Sequence, residues 1–246
     1  MCYTSDVNAS DKKTIHSAAI LLLGGSGERY QSDLPKQFVE MGGKPLFLYA
    51  YETLEASNDI DAILLVVKQG YEDLASNLLK GHSKLLGIVT GGHSREESTY
   101  LGLKALENYG ANPYTKVYIH DADRPLLTES LIGRLSQEVD RSLFAVPALP
   151  VSDSLAYAPD GKRIEHYGDR RGNVTLQTPQ AAVYALFLKA FEEKKDELSS
   201  YHDDASVVLS ALGLHPAIIR GEEANIKVND RAGELFFLRL LKGEKR

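Results

Sequence analysis

Short apolar runs recur along this chain, and between them lie stretches with helical period. The runs are "AAILLL" (18–23), "AILLVV" (62–67), "LGIVT" (86–90), "KVYIHDA" (116–122) and "LFAVPAL" (143–149). They read as buried strands. The stretches "PLFLYAYETLEA", "YEDLASNLLKG", "SREESTYLGLKALENYG" and "TESLIGRLSQEVDRS" read as amphipathic helices. This alternation is the constraint that matters most. Strands separated by helical crossovers form βαβ units, hence a mostly parallel sheet with helices on both faces. In such a sheet, ligands bind outside the carboxyl ends of the strands.

Residues 150–180 break the pattern. They have no helical period, and a turn at "APDGKR" is flanked by "SLAY" and "IEHY", the signature of a projecting β-hairpin arm. Helices near 184–195 and 203–213 follow, then a strand "PAIIR", the stretch "NIKV" and a closing helix from about Asp230. The fold class is α/β: a Rossmann-like, mostly parallel sheet with helices on both faces, plus the arm. Residues 1–16 are expected to form a disordered tail and 17–246 one domain, including the arm at 150–178.

Bulk properties exclude some functions. The net charge of -6 argues against a dedicated nucleic-acid binder, whose affinity rests on a basic stripe. No run is long enough to suggest a membrane span. With one cysteine, Cys2, no disulfide forms within the chain. A reducing, cytoplasmic location is expected.

Four motifs sit where the strands end. "GGSGERYQSDLPKQF" follows the first strand, and its glycines allow backbone amides to cradle phosphates. The alternative is a plain glycine-rich turn. The dinucleotide fingerprint fails at Tyr30, and no P-loop Gly-Lys-Ser/Thr is present. What remains is a loop with two cations, Arg29 and Lys36, suited to a triphosphate. As a loop lysine, Lys36 is expected to carry little core packing, so its truncation should leave the fold intact. In "GGHSREES", Gly91 and Gly92 permit close backbone contact with a base. Ser94 reads first as a helix cap, with Glu97 completing a capping box; Arg95 and Ser98 are weaker candidates for ligand contact. In "HDADRP", Asp121 and Asp123 read as Mg²⁺ ligands or, alternatively, as capping and salt-bridging groups for Arg124. His120 reads as a packed, hydrogen-bonded histidine. In "NIKV", Lys227 stands between apolar neighbours, and alone it reads as a surface lysine.

Taken in order, these motifs resemble the 2-C-methyl-D-erythritol 4-phosphate cytidylyltransferase family of isoprenoid biosynthesis. The resemblance covers the chain after residue 17 and includes "PVSDS", Arg170 before "QTPQ", and "DDAS". It implies that Arg29 and Lys36 stabilise the transition state at the α-phosphate of CTP. It implies that Gly24, Gly25, Gly27, Gly92 and Ser98 hold the nucleotide, that Asp121 lies near Mg²⁺, and that Arg124 supports that corner. Asp153, Ser154, Arg170, Thr178 and Lys227 would position the sugar-alcohol phosphate. A homodimer through the arm is implied, with Arg170 delivered to the partner's pocket.

The sequence also departs from the family pattern. Leu23-Gly24-Gly25 replaces Ala-Ala-Gly, Asp123 replaces alanine, Ser154 and Asn229 replace threonines, and His202 replaces the threonine before "DDAS". The Gly-Gly opening is shared with relatives that use ribitol 5-phosphate, which is the competing acceptor. "PVSDS" and "NIKV" favour methylerythritol. Two further readings compete with cytidylyl transfer. A nicotinamide-dependent oxidoreductase conflicts with the missing third glycine. A non-catalytic nucleotide-binding protein conflicts with the joint presence of Arg29, Lys36, Asp121, Arg170 and Lys227.

Overall fold

The computed structural model describes residues 14–24 and 34–243. In chain order the elements begin with β1 (Ile15–Leu23), the small hairpin β2 (Glu40–Met41) and β3 (Lys44–Pro45), and α1 (Leu46–Ala56). Next come β4 (Ala62–Val67), α2 (Glu72–Leu78), β5 (Leu85–Thr90), α3 (Arg95–Asn108) and β6 (Ala111–Asp121). Then follow α4 (Glu129–Ser142), β7 (Phe144–Pro150), β8 (Leu155–Tyr157), β9 (His166–Gly168) and β10 (Val174–Leu176). The chain continues through β11 (Gln180–Val183), α5 (Tyr184–Glu193), α6 (Asp204–Leu212), β12 (Ala217–Arg220) and α7 (Arg231–Leu241).

The central sheet runs β7-β11-β6-β1-β4-β5, with β12 on the far side of β7 and β10 pairing its end. β1 is parallel to both β4 and β6, β4 to β5, and β12 to β7. The expected mostly parallel sheet is therefore present, with two antiparallel strands, β10 against the end of β7 and β11 inserted between β6 and β7. β11 pairs antiparallel with both β6 and β7. No sequence signal marks this strand, because "QAAV" runs directly into the apolar start of α5.

Side-chain alternation along β1 divides the core in two. Ala19, Leu21 and Leu23 pack with Phe47 and Tyr51 of α1 and Leu131 and Leu135 of α4. Ala18, Ile20 and Leu22 pack with Leu103 of α3, Phe187 and Phe191 of α5, and Val207 and Val208 of α6. Each fully buried leucine or phenylalanine stabilises by about 1.5–3 kcal/mol relative to exposure, so a strand buried on both faces is anchored twice. α7 packs Phe237 against Met41, Leu46 and Val228. There Gly42 has φ +66°, and a Cβ on it would lie 2.5 Å from Leu241 Cδ2.

Several boundaries shift. β1 starts at Ile15, three residues before the apolar run, because Thr115 Oγ1 donates to Ile15 O and Asp61 accepts from the amides of His16 and Ser17. The expected tail at 1–16 thus loses residues 14–16, and residues 1–13 lie outside the described residues. Leu143 closes α4 in the left-handed region (φ 66°) instead of opening β7. The arm hairpin is present as β8 paired antiparallel with β9. Among the described residues, no helix is long and apolar enough to cross a membrane.

Candidate active site

β1, β5 and β6 are neighbours or near-neighbours in one parallel set, so their carboxyl ends open on the same edge of the sheet. A pocket of about 280 Å³ lies there, with Gly24, Gly92, Arg95, Ser98, Asp121 and Lys227 among its lining residues. Its floor is a chain of alternating charges. Lys36 Nζ donates to Asp123 Oδ2 at 2.8 Å. Lys227 Nζ lies 3.8 Å from Asp123 Oδ1 and 2.9 Å from Asp121 Oδ2. Arg95 Nε donates to Asp121 Oδ1 at 2.8 Å, and its two terminal nitrogens grip Asp204 at 2.9 and 2.8 Å.

These neighbours set the protonation states. Burial alone would raise the Asp121 carboxyl, but Arg95, Lys227 and Arg124 together hold it well below the usual carboxylate range. Burial works against the Lys227 ammonium, yet Asp121 and Asp123 keep its pKa above the ordinary value. Burial pushes the Asp204 carboxyl up while Arg95 opposes it. Asp121 and Lys227 are therefore both charged at neutral pH.

The glycine turn after β5 is shaped by α3. Ser94 caps that helix by accepting from Glu97 N, as expected. The reciprocal bond differs: the Glu97 carboxylate accepts from His93 N at 2.7 Å. A Cβ on Gly92 would lie 2.5 Å from Glu97 Cβ, so the turn closes on the helix only with glycine. Ser98 Oγ accepts from Gly92 N and donates to Ser94 O. Ser98 thus pins the turn as well as lining the pocket.

"QTPQ" holds the floor from behind. Thr178 Oγ1 accepts from Asp121 N at 3.1 Å and meets His120 Nδ1 at 2.9 Å. His120 Nε2 meets Arg124 O at 3.1 Å. A carbonyl only accepts, so Nε2 carries the proton and Nδ1 accepts from Thr178. Burial pulls the His120 pKa down to about 4, which keeps the ring neutral. Gln177 holds the 222–225 loop, and Gln180 holds the start of α6.

Of the residues singled out from sequence, Gly24, Gly92, Ser98, Asp121 and Lys227 come together in the pocket wall. Lys36 stands just behind, only 5% exposed, with Asn229 Oδ1 as a second acceptor at 3.2 Å. It is not the free loop lysine expected, because Asp123 draws it inward. Arg124 braces the corner by donating to Asn225 O. Thr178 is buried behind Asp121 and is not among the pocket-lining residues. Asp153, Ser154 and Arg170 are exposed on the arm, and no arm residue lines the pocket. Arg170 donates to Ser152 O within its own arm. Gly25, Gly27 and Arg29 lie outside the described residues. Sequence reasoning ranks Arg95 low and passes over Asp204, though both stand in quoted motifs, "GGHSREES" and "DDAS". Their pairing spans 109 positions, which no local pattern reveals.

Comparison with known proteins accounts for this constellation. The sequence profile of the 2-C-methyl-D-erythritol 4-phosphate cytidylyltransferase family matches residues 17–235. The chain belongs to that family. It is 37% identical over 228 residues to the 2-C-methyl-D-erythritol 4-phosphate cytidylyltransferase of Thermotoga neapolitana, covering 93% of this chain and 97% of the relative. It is 35% identical over 216 residues to the enzyme of that name from Thermosipho melanesiensis, covering 87% and 93%. The crystal structure of the Thermus thermophilus enzyme matches with a TM-score of 0.74 at 27% identity, covering 91% of this chain and 98% of that one. The chain is thus a nucleotidyltransferase of isoprenoid biosynthesis, and its reaction is cytidylyl transfer to 2-C-methyl-D-erythritol 4-phosphate.

For this cytidylyltransferase the implied Mg²⁺ is tested by the donor set. Among the described residues, no three histidine, cysteine or acidic side chains gather as a ready-made cage. Two carboxylates, Asp121 and Asp123, do line the pocket. Mg²⁺ is commonly held by one or two carboxylates plus substrate phosphates, so the residues present fit that mode.

Proposed function

We propose that the charged floor aligns the two phosphates of the reaction and stabilises the charge that builds up between them. A phosphate oxygen of the acceptor attacks the α-phosphorus of CTP. The new P–O bond forms as the bond to pyrophosphate breaks, and pyrophosphate leaves with the electron pair. The acceptor phosphate is already ionised at neutral pH, so no strong general base is needed. Catalysis reduces to alignment and electrostatic stabilisation. The observation that carries this reading is the convergence of Lys36, Arg95 and Lys227 on Asp121 and Asp123 at the carboxyl ends of the strands.

Each part has a task. The turn at Gly92, closed by Ser98, takes the nucleotide, and Gly24 lets the chain leave β1 beside it. The family resemblance assigns nucleotide binding to Gly25 and Gly27 as well, and transition-state stabilisation to Arg29. Lys36 and Arg29 meet the charge at the α-phosphate. Lys227 and Arg124 orient the acceptor phosphate. Asp121 would hold Mg²⁺, which when bound would supply charge neutralisation on the phosphate oxygens. Thr178 acts through Asp121 and His120.

The arm completes the site in a second copy. Its apolar side chains Tyr157, Ile164, Tyr167, Val174 and Leu176 are exposed. A two-fold dimer that covers them would bring Asp153, Ser154 and Arg170 to the partner's pocket. A cytoplasmic location fits the single cysteine. The deciding experiment is pyrophosphate release from CTP with methylerythritol 4-phosphate and, separately, ribitol 5-phosphate. Rapid release with the first and little with the second supports the assignment. The reverse ranking overturns the acceptor and leaves the reaction class standing.

A further inference from the structure

Lys227 has two carboxylates within reach, and it uses one. Its Nζ donates to Asp121 Oδ2 at 2.9 Å and stands 3.8 Å from Asp123 Oδ1. That second oxygen is buried and has no hydrogen-bond partner among the described residues, while Oδ2 of the same carboxylate is held by Lys36. A buried acceptor left without a donor is costly, so its persistence calls for a reason. The other carboxylate has the opposite problem. Both oxygens of Asp121 are taken, one by Arg95 and one by Lys227. A cation arriving at Asp121 would meet the Arg95 guanidinium on Oδ1 and the Lys227 ammonium on Oδ2, and like-charge repulsion favours departure of whichever is held less firmly. Arg95 is fixed by its two bonds to Asp204, itself fully buried and held by Thr99. Lys227 is held less firmly, by one hydrogen bond among the described residues, with about a third of its side chain exposed.

We propose that Asp123 is a positioning residue whose free Oδ1 receives Lys227 when Asp121 is called into use. Lys227 then passes between two carboxylates and never becomes an unpaired, partly buried cation. The same carboxylate keeps Lys36 in place through Oδ2, so Asp123 links the nucleotide-side lysine to the acceptor-side lysine. Asn229 contributes to Lys36 alone, through its Oδ1 at 3.2 Å. The proposal deepens the reading of Asp121 given above and rests on it for its purpose, but the movement of Lys227 is testable in the empty protein.

The test is the rate at which acetic anhydride acetylates Lys227 in the protein without CTP. The rate is read by mass spectrometry as a ratio to exposed Lys68. An ion-paired ammonium reacts slowly. Asp121→Ala and Asp123→Asn should each leave the ratio within about threefold of the parent, because one carboxylate remains in each. The double variant should raise it about tenfold or more, the non-additivity expected of two groups sharing one partner. A full rise in Asp121→Ala alone, or no rise in the double variant, overturns the proposal. If the double variant does not fold, Asp121→Ala and Asp121→Asn decide it: protection of Lys227 retained in both supports the second berth, and protection lost with alanine refutes it. Because the labelling requires no turnover, its failure is separate from a failure of the transferase assignment, which the pyrophosphate assay reads.

Discussion

Asp121 and Asp169 are each held by an arginine at 2.8 Å, and the two pairs have little else in common. Asp121 takes its arginine from 26 positions away, with 10% of its side chain exposed. Asp169 takes Arg171, two positions away, with 57% of its side chain exposed. The same contrast runs through both regions. The pocket floor is tied by long-range bonds among buried charges. The arm is tied by its own neighbours: Asp160 accepts from the amides of Lys162 and Arg163, Arg170 donates to Ser152 O, and β8 pairs with β9. Buried pairs are costly to break because the remaining partner is stranded, whereas exposed pairs are screened by water and contribute little. The floor thus needs the fold to exist and defends its geometry. The arm keeps its local shape and leaves its apolar side chains exposed.

The sharpest way to break this comparison is to truncate one cation in each region. Lys36→Ala should lower turnover about a hundredfold or more. It should also destabilise the protein, because Asp123 is left buried without its partner; removing one member of such a pair costs about 3–5 kcal/mol. Initial rates and a denaturant titration check both effects. Near-normal turnover would remove Lys36 from the chemistry, and unchanged stability would show that Lys227 had taken over Asp123.

Arg170→Ala should match that loss of activity with no loss of stability. Each variant is nearly inactive alone, so unfolding and refolding the two as an equal mixture tests where Arg170 acts. If it acts on the partner's site, mixed dimers carry one intact site each, and roughly a quarter of parent activity returns with random pairing. No recovery, with mixed dimers shown to have formed, places Arg170 on its own chain's site.

Acidification should reach the floor before neutral pH is far behind. His120 has a folded pKa of about 4, below the ordinary histidine value. Between about pH 6.5 and 4 the unfolded chain therefore binds a proton that the folded chain refuses. Stability falls as pH drops through that window, by roughly 3 kcal/mol in all. Asp121 adds its own loss only lower, below the ordinary carboxylate range, because its folded pKa is depressed. In His120→Gln the slope between pH 6.5 and 4 should lessen by one proton, measured as unfolding free energy against pH. An unchanged slope would falsify the buried-neutral assignment.

The smallest contrast is between a cap and an arm hydroxyl. Asp203 closes α6 by accepting from Ser206 N, and Asp203→Ala should cost about 1 kcal/mol. Ser154→Ala, on the exposed arm, should change stability by less than about 0.5 kcal/mol. Thermal midpoints of the two variants rank them. An equal shift would mean that the arm is more tightly built than its exposure indicates.

The layout of strands and helices was legible in the sequence because burial on both faces writes itself as unbroken apolar runs, and a cap such as Ser94 writes itself as a single polar residue before a helix. Gly92 was legible as a close-approach glycine, although its reason, the nearness of Glu97, was not. β11 was hidden, since an antiparallel strand of four residues that flows into a helix has no boundary to read. The charge pairings were hidden for a deeper reason. Lys36 meets Asp123 across 87 positions, Lys227 meets Asp121 across 106, and Arg95 meets Asp204 across 109. A sequence states which ionisable groups the chain owns and which motifs they stand in. Which of them share a partner is decided only when the parallel sheet brings its carboxyl ends to one edge and burial forces every charge there to find its opposite.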